Sequence, residues 1–126
     1  MEINEIANNI ANQIYTETLF VPYDIALKLK EHGFENPCFG GYDKNKKWKW
    51  HPDSDIVLDV PTWEQCLRYF RESHVILIVI DYADYNYRWK LIDITACKTE
   101  VIDFGLKSYY DACVCAINYC FELIKK

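Results

Sequence analysis

The sequence lacks the short motifs by which many enzymes and metalloproteins are recognised. It has no C-x2-C or H-x3-H pair, so the usual chelating spacing for zinc is missing. Gly40 and Gly41 are adjacent, without the wider spacing and strand–helix context of a phosphate-binding loop. No apolar run is long enough to span a bilayer as a helix. We therefore expect no enzyme, no cofactor, no metal and no membrane association.

Positive charge is also scarce. Lys and Arg number 14 against 19 Asp and Glu, which gives a formal net charge of -5. This balance argues against phosphate binding by the whole surface, and it is too mild for a mimic of nucleic acid. The first ten residues carry neither a basic segment nor a long apolar run, so we expect no signal peptide and a cytoplasmic protein.

Cysteine is present in six copies, and its placement favours reduced thiols. Cys113, Cys115 and Cys120 fall in one predicted helix, where neighbours are poorly placed to bridge each other. At about 100° per residue, Cys115 lies about 160° around the helix from Cys113, so the pair cannot hold one ion. With no export signal, we expect these thiols to be reduced and to act as small core side chains.

The run Val75–Tyr82 is the strongest structural signal in the chain. Its β-branched and leucine side chains make both faces of a strand apolar, which predicts a central strand covered on both sides. The short loop Ala83–Asn86 predicts an antiparallel hairpin with a returning strand. In that strand Tyr87, Trp89 and Leu91 share one face, and Arg88 and Lys90 share the other.

The remaining patterns complete an α+β prediction for a single domain over residues 1–126. Isoleucines at helical spacing predict a narrow amphipathic helix over residues 1–16, either peripheral or in contact with a second copy. Gly33 and Phe34 predict a Schellman ending for a helix that starts at Pro22. Thr62 and Ser108 begin two further helices. We expect an antiparallel sheet of four to five strands packed with three to four helices, in the order α-α-β-β-α-β-β-(β)-α.

Two segments carry a resemblance, LFVPYDIALKLKEHGFENPCFGGYD (Leu19–Asp43) and PTWEQCLRYFRE (Pro61–Glu72). They resemble small uncharacterised proteins carried by phages and mobile elements of gut-type bacteria. The final helix, Ser108–Lys126, is similar in character to the C-terminal ends of those proteins. That family has no established activity, so the resemblance implies no catalytic residue. It implies an intracellular accessory protein of a mobile genome.

Cations and aromatics alternate in the segment Lys44–His51. Such a pattern could stack bases and hold phosphates, as proteins that bind single-stranded nucleic acid do. On one strand, however, Trp48 and Trp50 face one side and Lys47 and Lys49 the other, which favours a solvated lysine face over a tryptophan core face. A nucleic-acid-binding accessory protein is thus our second hypothesis, with five candidate contacts: Lys46, Lys47, Lys49, Arg88 and Lys90.

A cysteine nucleophile is a third and weaker hypothesis. Cys38 stands before Phe39-Gly40-Gly41, a turn in which a thiol could be exposed beside His51. The alternative is that Cys38 begins a strand and points into the core, and the sequence shows no third residue to orient His51.

The first hypothesis is a small non-enzymatic protein that binds a protein partner or itself. Ten tyrosines exceed what a core readily hides, because each hydroxyl needs a partner or water. Aromatic side chains of this kind are enriched at protein interfaces. The candidate protein contacts are Tyr82, Tyr85, Tyr87, Tyr109 and Tyr110.

Overall fold

A computed structural model describes residues 19–125, except for the side chains of residues 100–104. The chain forms two compact units, which divide between Glu64 and Gln65. The described elements are α1 (Tyr23–Glu31), β1 (Gly40–Tyr42), β2 (Trp48–Trp50), β3 (Leu58–Val60), α2 (Trp63–His74), β4 (Ile76–Ala83), β5 (Asn86–Asp93), β6 (Lys98–Leu106) and α3 (Tyr109–Ile124). The α+β class and antiparallel pairing are confirmed. The predicted helix over residues 1–16 lies outside the described residues, and the single domain stays a prediction.

The sheet of the first unit has the strand order β2-β1-β3. Its central strand β1 begins with two buried glycines, and neighbouring atoms leave no room for a side chain there. A Cβ on Gly41 would lie 2.9 Å from Ile56 Cγ2 and 3.0 Å from Asp59 Cα, and closer still to the carbonyl oxygen of Leu58. Gly41 therefore allows β3 to approach β1, and Gly40 allows the close approach of Trp48 and Lys49 of β2. Both glycines are part of the sheet rather than of a loop.

Helix α1 has the boundaries that its sequence predicts. Pro22 precedes it in an extended conformation, and Asp24 lies in its first turn, where a carboxylate complements the helix dipole. Gly33 has a φ of 89°, and the Phe34 N–H donates to the Leu29 carbonyl at 2.9 Å. Phe34 and Leu29 are both buried, so the predicted Schellman ending is confirmed.

The second unit contains a sheet of strand order β4-β5-β6. Strands β4 and β5 are joined by Asp84 and Tyr85, whose φ angles of 53° and 64° correspond to a tight type I′ turn. As predicted, the strands form an antiparallel hairpin, in which Ala83 pairs with Asn86. The hairpin places β5 between β4 and β6.

The predicted central position of Val75–Tyr82 is wrong, because within residues 19–125 β4 is an edge strand of its sheet. Within β4, Ile78 is buried, whereas its neighbours from Ile76 to Ile80 are half-buried. Apolar residues on both faces indicate that a strand is covered on both sides, but they do not distinguish an edge strand from a central strand of the sheet. The strands are also divided between two three-stranded sheets in the described part of the chain, whereas the sequence predicted one larger sheet.

Helix α3 packs one face into the core of the second unit. Ser108 caps it, since the Ser108 hydroxyl accepts a hydrogen bond from the Asp111 N–H at 3.0 Å. Its buried side chains are Ala112, Cys113, Ala116, Ile117, Cys120 and Phe121. The Phe121 ring contacts Phe70 of α2, with centroids 5.4 Å apart. The predicted role of Cys113 and Cys120 as core side chains is confirmed.

Candidate functional site

Exposed tyrosines gather at one end of the second unit. The side chain of Tyr85 is 91% exposed at the tip of the β4–β5 turn, and those of Tyr82 and Tyr109 are 57% and 43% exposed. Large aromatic rings usually lose most of their accessible area in a folded protein, so rings this exposed are available to a partner.

The half-buried ring of Tyr87 connects Tyr82 and Tyr109. The centroids of Tyr82 and Tyr87 are 4.9 Å apart, and those of Tyr87 and Tyr109 are 6.4 Å apart. Both pairs meet edge to face, the geometry that aromatic quadrupoles favour. The three rings therefore form a continuous row, and we define the tyrosine surface as this row plus Tyr85.

The backbone explains why the row forms. Tyr82 lies directly opposite Tyr87 in the hairpin, so their side chains share one face of the sheet. Tyr87 pairs in turn with Leu106 of β6, and α3 begins three residues later at Tyr109. The sequence predicted these residues as protein contacts without knowing that they adjoin.

Tyr110 does not share that arrangement. It is 38% exposed, but it follows Tyr109 on a helix, where successive side chains point about 100° apart. Of the five tyrosines that the sequence singles out, Tyr110 is therefore the one that we leave outside the tyrosine surface.

A small recess adjoins the tyrosine surface. It has a volume of about 150 Å³, and Asp84, Tyr87 and Arg88 lie in its lining. The Arg88 Nε donates a hydrogen bond to Asp81 Oδ1, and this hydrogen bond and charge lower the pKa of Asp81. The recess thus combines an aromatic ring with charged groups of both signs, features that suit a polar side chain of a partner.

The two tryptophans of β2 lie on one face and Lys49 on the other, as predicted. The Trp48 and Trp50 rings pack on Phe20, with centroid distances of 4.6 and 5.7 Å. Lys49 lies between them in sequence and points to the other face, opposite Gly41. The rings and the Lys49 ammonium therefore cannot line one groove, which removes the arrangement that a single-strand binder needs.

The other candidate cations lie outside the strand that carries Lys49. Lys46 Nζ lies 4.7 Å from the Tyr23 ring centroid, in a cation–π contact. Lys47 belongs to the turn before β2, where its N–H donates to Asp43 Oδ1 at 3.0 Å. Arg88 is ion-paired, and it lies with Lys90 on β5, which pairs with β4 and β6 and not with β2. These cations are not presented together by one sheet.

Cys38 does not have the environment of a reactive nucleophile. Burial, with a smaller contribution from the Asp59 charge, raises the pKa of Cys38 to about 12, so the thiol is protonated near neutral pH. A reactive cysteine needs an electropositive neighbourhood that lowers its pKa.

The sequence analysis did not identify the partner of His51, which is Asp59: His51 Nε2 and Asp59 Oδ1 lie 2.6 Å apart. Pairing of β3 with β1 creates this contact, and only a prediction of that register would have found it.

Two further kinds of feature, a metal-binding cluster and a membrane-spanning helix, are absent from the described residues. In residues 19–125, no three His, Cys, Asp or Glu side chains converge in a way that could hold a metal ion. None of the helices in this part of the chain combines the length and the apolar character needed to cross a bilayer.

Comparisons with protein-family models, curated proteins and solved structures found no match.

Proposed function

We propose that this chain is a small non-enzymatic interaction protein that binds a protein partner, or a second copy of itself, through the tyrosine surface. The observation that supports this most is the contact row Tyr82–Tyr87–Tyr109, with Tyr85 standing 91% exposed beside it. The resemblance to phage and mobile-element proteins adds the context of an accessory role in such a genome.

The geometry of the row favours binding because its rings are held before a partner arrives. Tyrosine has two side-chain torsions, so ordering it at an interface loses little conformational entropy for the area that it contributes. Contacts between neighbouring rings reduce that loss further for Tyr87 and Tyr109. Each phenolic hydroxyl can donate and accept, which allows hydrogen bonds at the rim of an interface as well as apolar contact.

The recess at Arg88 supplies a second element of recognition. Binding energy in protein interfaces concentrates in a few aromatic and arginine side chains around small pockets. Here a recess of about 150 Å³ lies against Tyr87, one of the row's three rings. A partner that covers the tyrosine surface would place a side chain in this recess.

Affinity capture with matched variants tests the proposal. The full chain, immobilised, is incubated with lysate of the organism that carries its gene, and each retained protein is quantified for wild type and variants. We expect Tyr85→Ala with Tyr109→Ala to weaken the specific association at least tenfold, because hot-spot truncations commonly cost about 2 kcal/mol or more. Sedimentation velocity of the purified chain measures self-association with the same variants.

Tyr119→Ala is the matched control. Tyr119 is also a partly exposed tyrosine of α3, at 39%, but its ring neighbours Trp89 and lies outside the tyrosine surface. Thermal melts of all variants verify folding. Equal retention by wild type and the double variant, with no self-association in either, would contradict the proposal.

A further inference from the structure

The second unit also contains a cavity at the end opposite the tyrosine surface. Its volume is about 390 Å³, within the range of small-molecule sites. It is lined by the end of α2, the start of β4, the end of β5 and the last turn of α3. Ile76 in its wall and Tyr82 in the tyrosine surface are six residues apart on β4, which corresponds to about 20 Å. The cavity is therefore a separate site.

Most of the cavity wall is apolar. Val75 and Ile76 line one side of the cavity. Leu91 and Ile92 line it from β5, and Ile124 lines it from α3. Leu91 is fully buried, so the floor of the cavity belongs to the core of the unit. A wall of this composition favours a ligand with an aromatic or branched aliphatic body.

Backbone strain at the cavity's edge supports a binding role. Val75 has a φ of 58°, in the left-handed region that a β-branched residue rarely adopts. The Ile94 N–H donates to the Val75 carbonyl at 3.2 Å and helps to fix this conformation. Strained residues of this kind cluster at ligand sites, where the surrounding structure maintains them.

The polar groups at the cavity favour a positive charge. Asp93 lies in the lining, and one of its carboxylate oxygens already accepts a hydrogen bond from the Ala96 N–H at 3.1 Å. The C-terminal end of α3, which carries partial negative charge, is at Ile124. The nearby Lys125 ammonium pairs with Glu122 at 3.4 Å. Lys98 of β6 is the cross-strand partner of Asp93 but lies outside the lining. Within the cavity, a cation would thus meet a carboxylate and a helix end of complementary sign.

We propose that this cavity binds a small organic amine, with its apolar body against Val75, Ile76 and Leu91 and its ammonium group at Asp93. This inference is independent of the proposed protein interaction, because it concerns other residues and another end of the unit. His74, whose Nε2 lies 3.1 Å from the Tyr69 hydroxyl, borders the site and contributes polar surface.

Three ligands of nearly equal shape test the charge preference. The full chain is titrated with 4-phenylbutylamine, 4-phenylbutan-1-ol and 4-phenylbutanoate, and backbone amide chemical shifts report the site and the affinity. We expect the amine to bind about tenfold more tightly than the alcohol, the increment typical of one charge-assisted hydrogen bond. We expect the carboxylate to bind more weakly than both.

Two variants separate charge from shape. Asp93→Asn keeps an oxygen acceptor for the Ala96 N–H but removes the charge, so the amine and the alcohol should bind equally. Ile124→Phe fills the cavity and should weaken both ligands. Val79→Phe is its control, because Val79 lies on the opposite face of the sheet and outside the lining.

Specific outcomes would overturn the proposal. They are the absence of amine binding to wild type at millimolar concentration, equal binding of all three ligands, or an amine preference that survives Asp93→Asn. Shift changes confined to residues away from β4, β5 and the end of α3 would overturn it as well, since the probe would then occupy another site.

Discussion

Replacing Gly41 by alanine tests the close approach of β3 to β1. The added Cβ would meet Ile56 Cγ2 at 2.9 Å and Asp59 Cα at 3.0 Å. Carbon atoms pack best at about 3.5–4.0 Å, so β3 must withdraw by about 0.5 Å or more. The atoms in the way include the backbone of β3, and that strand is held to β1 along its length. We therefore expect a loss near the upper end of the usual overpacking range, about 3 kcal/mol of unfolding free energy.

Gly33→Ala is the matched control, since it introduces the same methyl group without a clash. Nothing lies within 4 Å of a Cβ at Gly33, but its φ of 89° disfavours any side chain. Strain alone should destabilise the chain by about 1–2 kcal/mol. Urea denaturation followed by tryptophan fluorescence measures both variants, because Trp48 is half-buried against Phe20 in the same unit. A Gly41→Ala protein as stable as wild type, or more stable than Gly33→Ala, would refute the sheet geometry given above.

Three further predictions concern thiols, pH and nucleic acid. In native protein at pH 8, iodoacetamide should modify Cys97 first, because it is exposed, and Cys97→Ser should remove the fast phase measured by mass spectrometry. The hydrogen bond from Arg88 lowers the pKa of Asp81, so its stabilising effect is complete above the ordinary value of 3.8 and is lost as pH falls through the lowered value. The difference in melting temperature between wild type and Asp81→Asn should accordingly shrink from pH 7 to pH 2, and a constant difference would contradict the pairing. Fluorescence anisotropy with a single-stranded oligonucleotide should show no salt-sensitive binding to the wild-type chain. Salt-sensitive binding that the double variant Lys47→Glu with Lys49→Glu abolishes would instead support the nucleic-acid hypothesis.

Local patterns in the sequence predicted local structure well. The glycine at position 33 specified a helix end because few other residues adopt a positive φ there. The alternation of Trp48, Lys49 and Trp50 specified which face of β2 is apolar, since successive side chains of a strand must point in opposite directions. The loop Ala83–Asn86 specified a hairpin because its length admits few other connections.

These local patterns did not predict which strands pair when the strands are distant in sequence. The apolar run from Ile76 to Ile80 predicts a strand that is covered on both faces. The position of a strand within its sheet depends, however, on which strands pair with it. The contact of His51 with Asp59 and the row of tyrosines both arise from strand register, which composition does not encode. The sequence thus named the tyrosines of the candidate site but not their arrangement.

Photo-crosslinking from the tip of the turn tests the central claim most directly. A benzophenone amino acid replaces Tyr85 in the full chain, expressed in cells of the organism that carries its gene, and Phe39 of the first unit, 62% exposed, is replaced in a parallel control. The proposed interaction predicts a discrete crosslinked protein, or a crosslinked dimer, from position 85 that position 39 does not give. Irradiation that yields no adduct from position 85, or the same adducts from both positions, would contradict it.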